Sequence, residues 1–159
     1  MSDNEEFSLA DLIDRVDGIR TVMLTTIDER GTMSSRPLTV QRITEDGDLF
    51  FIVDANAEWV VRTVEPVNVA FVDDGTTWVS VAGRAVVDDD RGLLDELWDP
   101  MTDAFFPDGK ENGPVVLEVR ADEWEYWTAP NKVMQLVKIA RAKVTGGSTD
   151  LGASGTVET

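Results

Sequence analysis

The hydrophobic positions of this chain follow two periods, and most of the length follows the shorter one. Leu9, Leu12, Ile13 and Val16 share one helical face. Ser8 and Asp11 flank the start at capping-box spacing, and Gly18 ends the run. A strand rich in β-branched residues is expected over 19–27, a turn at Asp28-Glu29-Arg30-Gly31 and a second strand over 32–43. Glu45 to Asp48 read as a hairpin turn. The third strand, 49–53, is continuously apolar and is expected to be deeply buried. A short helix is predicted over 55–64, ended before Pro66, and a fourth strand over 67–72. After the Asp74-Gly75 hairpin signal, Trp78 to Ala85 alternate with period two as a fifth strand.

Residues 91–98 read as a helix with Leu93, Leu94 and Leu97 inward, broken by Pro100, and 105–109 as a loop. Alternation resumes from Val115 to Trp127 as a sixth strand. Pro130 suits the first turn of a last helix, with Val133, Leu136, Val137, Ala140 and Val144 as its stripe and Gly146 as its cap. Residues 147–159 are small and polar and are expected to form a disordered tail, removable beyond Gly147 without loss of folding. The pattern gives one domain over 1–146 of mainly β class. Its architecture is a six-stranded antiparallel barrel with peripheral helices, because the strand–helix alternation of a doubly wound parallel sheet is missing.

Composition narrows the chemistry. The 159 residues contain no cysteine and no histidine. Disulfides, thiolate metal sites, cysteine nucleophiles and serine–histidine triads are therefore excluded, along with the usual zinc and haem ligands. A net charge of −17 repels nucleic-acid backbones and anionic membranes. It fits either adaptation to a salty cytoplasm or ordinary solubility. No signal peptide and no apolar run of membrane-spanning length is visible, so a cytoplasmic protein is expected. Neither a GxGxxG nor a GxxxxGK[ST] motif occurs.

The remaining candidates are carboxylates, arginines, aromatics and backbone. The Asp88-Asp89-Asp90 run reads as a hard-cation site or, without calcium-loop spacing, as a solvated turn. Arg36 precedes Pro37, which removes a ladder donor and predicts an edge or bulge. A guanidinium there can hold a phosphate or carboxylate, or sit in a surface salt bridge. The five tryptophans supply either stacking surfaces or ordinary packing.

Several segments, in order and without large gaps over roughly residues 8 to 146, resemble the general stress protein branch of the pyridoxamine 5′-phosphate oxidase superfamily, the FMN-binding split barrels. They are Met23-Leu24-Thr25-Thr26, Ser35-Arg36-Pro37-Leu38, Leu49-Phe50-Phe51-Ile52, Val79 to Ala85, Glu96-Leu97-Trp98, Phe106-Pro107-Asp108-Gly109, Glu125-Tyr126-Trp127 and Lys143-Val144-Thr145-Gly146. The resemblance implies a split barrel forming a homodimer with two cofactor sites at the subunit interface, usually for FMN. Some relatives use a deazaflavin or haem. A flavin carries hydride chemistry itself, which accounts for the missing catalytic side chains. By resemblance the cofactor site comprises Ser35, Arg36, Pro37, Leu38, Ile52, Val53 and Trp59, and the helix after the third strand offers its first turn to the phosphate.

The chain departs from the family pattern at that phosphate end. A serine and a lysine are usual there, whereas this chain reads Asn56-Ala57-Glu58-Trp59, with Trp59 in place of the lysine and Val53 in place of a common threonine. Glu58 repels a phosphate, and Arg36 and Arg62 partly compensate. Three readings follow: a flavin-binding oxidoreductase, a non-enzymatic dimeric module with a degenerate pocket, and a deazaflavin-dependent reductase.

Overall fold

The computed structural model describes residues 6–73, 75–129 and 154–159. The first helix, α1 (Leu9–Val16), carries the expected capping box: Ser8 Oγ accepts from Asp11 N, and the Asp11 carboxylate accepts from Ser8 N at 2.9 Å. It buries Leu12 and Val16 against the main core. The strands are β1 (Thr21–Asp28), β2 (Met33–Thr39), β3 (Arg42–Ile43), β4 (Leu49–Asp54), β5 (Thr63–Asp73), β6 (Thr77–Asp88), β7 (Pro114–Thr128) and β8 (Ser154–Glu158). The remaining helices are α2 (Glu58–Arg62), α3 (Arg91–Leu97) and α4 (Pro100–Phe105).

All strand pairs are antiparallel, and the sheet runs β2-β1-β5-β6-β7-β4-β3, with β8 also on β7. Its two ends, β2 and β3, are consecutive in the chain and meet at Val40-Gln41. There Val40 N donates to Arg20 O and Gln41 N to Phe50 O. The bend transfers one strand from β1 to β4 and curls the sheet into a barrel. Above the bend β2 is bonded to β1 alone, so β2 and β4 diverge and the barrel is split between them.

The interior is filled by alternate residues of β1, β4, β5, β6 and β7, among them Leu24, Phe51, Val69, Phe71, Val81 and Val119, with Trp124 the largest fully buried side chain. Trp124 stacks on Phe71, and its indole N–H donates to Gly47 O at 3.1 Å, so the buried ring leaves no polar atom unpaired. β4 is apolar on both faces because both are covered. Phe51 and Val53 face the barrel, while Ile52 joins Leu94 and Leu97 of α3 in a second cluster.

Four sequence expectations change. The six expected strands become eight elements, because 32–43 divides at the Val40 bend and β8 is added. Residues 154–158, assigned to a disordered tail, pair with β7 from Glu123 to Trp127, an edge that β4 leaves open, and Val157 packs on the core. The helix expected over 55–64 is confined to α2. Asp54 first holds a turn through Asn56 N at 2.9 Å, and Thr63 already pairs with Asp28 of β1. Pro100 does not only end a helix. Asp99 caps α4, and Pro100 occupies its first turn, where a missing N–H costs nothing. The expected last helix lies outside the described residues.

Candidate functional site

The split between β2 and β4 forms a groove of about 270 Å³. Pro37, Leu38 and Thr39 line one side, Ile52, Val53 and Asp54 the other, and Trp59 of α2 one end. Phe105 and Phe106, at the end of α4, supply an aromatic wall, and Trp98 packs on Phe106 at 5.9 Å between ring centroids. The volume is just below the usual range of about 300–1,000 Å³ for ligand pockets, and the lining is mostly apolar with few polar groups, as such sites are.

Asp99 holds the α4 wall in place. Its carboxylate accepts from Thr102 N and Thr102 Oγ1, both at 2.8 Å, and from Arg20 at 2.7 Å. Gln41, oriented with its amide nitrogen toward these acceptors, donates to Leu97 O and to Asp99 at 3.3 Å each. The Arg20 hydrogen bond, assisted by those from Thr102, pulls the Asp99 carboxyl from its ordinary 3.8 down to about 2. The bend residue Gln41, the start of α4 and the groove wall are thus tied together.

A second, polar depression of about 400 Å³ lies at the β1–β2 end of the barrel and shares Trp59 with the groove. Register places Arg36 opposite Leu24, on the face that turns into the barrel. Its guanidinium lies over the Trp59 ring at 4.3 Å and donates to Thr26 Oγ1 at 2.9 Å. Among the described residues Arg36 is in no ion pair, so the salt-bridge reading does not apply to it. Arg62 is bound to Glu58 at 3.0 Å, one helical turn away. Asp28 accepts from Arg30 N and Thr32 N at 2.9 Å each, and these backbone bonds, Thr32's first, keep its carboxyl below the ordinary range.

Of the seven residues singled out by sequence, Pro37, Leu38, Ile52, Val53 and Trp59 line one groove, and Arg36 reaches it across Trp59. Ser35 does not join them. It faces the other side of β2, where its hydroxyl meets Thr25 Oγ1 at 2.6 Å. The first turn of α2, expected to meet a phosphate, carries Glu58 and has no side-chain cap. Phe105, Phe106 and Gln41 were missed, because α4 and the bend at Val40 were missed. In the Asp88–Asp90 run, Asp88 accepts from Asp90 N, and Asp90 caps α3 through Gly92 N, the turn alternative.

Comparison with known proteins bears on the family and the fold. The family model described as pyridoxamine 5′-phosphate oxidase like matches residues 8–150. No curated protein sequence matches the chain. Among solved structures, a general stress protein 26 candidate from Jannaschia sp. CCS1 is 24% identical with a TM-score of 0.67, covering 94% of this chain and 99% of that one. A protein related to general stress protein 26, from Clostridium acetobutylicum, is 18% identical with a TM-score of 0.66, covering 76% and 87%. The general stress FMN/FAD binding protein of Xanthomonas citri is 26% identical with a TM-score of 0.59, covering 84% and 89%.

Proposed function

Since the chain belongs to the pyridoxamine 5′-phosphate oxidase-like family, we propose that it is a flavin-binding split-barrel protein that works as a cytoplasmic homodimer and serves as an oxidoreductase. The observation that carries the reading is the groove at the split. It brings together five residues chosen from the sequence for a flavin, and gives them two phenylalanines as a wall. The ring end fits a flat, largely apolar heterocycle: aliphatic side chains from two strands face it, and Trp59 closes one end. The Xanthomonas citri relative, described as FMN/FAD binding, supports the cofactor class.

A bound flavin would supply the hydride chemistry. The chain's part is to place and shield the ring. Leu38, Ile52 and Val53 exclude water from it, and Asp54 and Thr39 offer polar atoms at its edge. No histidine is present to move a proton.

The outer face of the sheet supports a dimer. Val72, Trp78 and Trp127 lie side by side across β5, β6 and β7 at 56%, 38% and 40% exposure, and the next row begins with Met23 beside Ala70. Two exposed tryptophans beside a valine on one sheet face are the composition of a protein contact. The Arg36–Trp59 stack favours a second reading, a dimeric module whose pocket is filled by its own side chains.

Mass spectrometry of the small molecule released from freshly purified protein tests the proposal. A flavin is expected. A deazaflavin would replace the cofactor assignment, and no ligand, with no flavin uptake on titration, would favour the module. Gel filtration with light scattering should give twice the mass of the 17.5 kDa chain.

A further inference from the structure

The polar depression beside the groove has an unusual charge balance for a phosphate subsite. Arg36 and Arg62 supply two positive charges, and Asp28 and Glu58 supply two negative ones. Arg62 is already paired with Glu58, and the Asp28 carboxylate, ionised at neutral pH as aspartates ordinarily are, accepts from Arg30 N and Thr32 N. Arg36 is turned onto Trp59 and Thr26. A phosphate entering here meets a site of zero net charge in a chain whose total is −17. Its attraction to Arg36 is opposed by a carboxylate on the adjacent helix.

A sugar-alcohol chain finds a different environment in the same depression. Its hydroxyls can donate to Asp28, and can accept from Arg36 and from the hydroxyls of Thr32 and Ser34. Donors and acceptors of both kinds suit a neutral polyol and give no preference for an anion.

On the premise that the groove takes a flavin ring, we infer that this site selects its cofactor by the ring and the polyol, with no selection for a terminal phosphate. The structure places Glu58 as the residue that cancels that selection. Riboflavin, the flavin lacking the phosphate, is then as good a ligand as FMN.

The experiment is a pair of titrations of the full-length apoprotein, one with riboflavin and one with FMN, read by quenching of flavin fluorescence. Low ionic strength is required, because Glu58 is 76% exposed and salt would screen it. The two dissociation constants should agree within about threefold. Glu58→Gln should tighten FMN roughly tenfold, an effect that salt erodes, and leave riboflavin unchanged. Its melting temperature and circular dichroism should match the unmodified protein. FMN bound a hundredfold more tightly than riboflavin would overturn the inference and leave the flavin reading intact. So would a Glu58→Gln effect equal for both ligands. Binding of neither ligand would remove the flavin reading itself, and the inference with it.

Discussion

Replacing Asp99 separates two roles of one carboxylate. In Asp99→Ala, α4 loses its cap, which costs about 1 kcal/mol. The buried Thr102 hydroxyl loses an acceptor, worth about another 1 kcal/mol. The bond to Arg20 contributes only about 0.5 kcal/mol at neutral pH, since that guanidinium is 44% exposed. The sum is roughly 2–3 kcal/mol. Asp99→Asn keeps an oxygen for Thr102 and loses the charge alone, so it should cost roughly 0.5–1 kcal/mol.

The pH dependence has a definite sign. Asp99 is depressed to about 2 in the folded chain, against an ordinary 3.8. The stabilisation from its charge is therefore complete above about pH 4 and is lost as the pH falls through about 2. Urea unfolding of the three proteins at pH 7 and again near pH 2.5 reads both effects as midpoint shifts at constant slope. The Asn deficit should shrink in acid, and most of the Ala deficit should persist. Equal losses for Asn and Ala at pH 7 would refute the capping role. An Asn deficit unchanged in acid would refute the role of the charge.

Further outcomes follow from particular contacts. Gly83→Ala should destabilise by about 2–3 kcal/mol in urea unfolding, because its Cβ would clash with the Arg120 carbonyl oxygen, at the bulge after Ala82. A midpoint unchanged by this substitution would contradict the close approach of β6 to β7. Deleting 154–159 uncovers the β7 edge and the contact of Val157 with the core, and should lower the melting temperature by about 3–6 °C. An unchanged melting temperature would restore the tail expected from the sequence.

The barrel was legible because most of its strands have one face inside, so Val79, Val81 and the alternate residues of β7 betray themselves by period two. β4 was legible as buried for a different reason: α3 covers its second face through Ile52. The bend at Val40-Gln41 carries neither glycine nor proline and left no local signal, although it creates the split. α4 did have one, since Asp99-Pro100 is a cap followed by a first-turn proline, but a proline after a helix reads first as a stop. β8 is set by an open edge far away in sequence, which no local pattern encodes. At the site, the residues that β2 and β4 place together were found through family resemblance, and Ser35 was included with them. Strand register sends it to the opposite face from Arg36. Phe105 and Phe106 could not be placed without α4.

The most direct measurement is a methyl-resolved NMR titration with riboflavin. A heterocycle seated in the split should move the methyl signals of Leu38, Ile52 and Val53 by its ring current, and leave those of Leu12 and Val16 under α1 in place. Shifts confined to other parts of the barrel, or none at saturating ligand, would contradict the account.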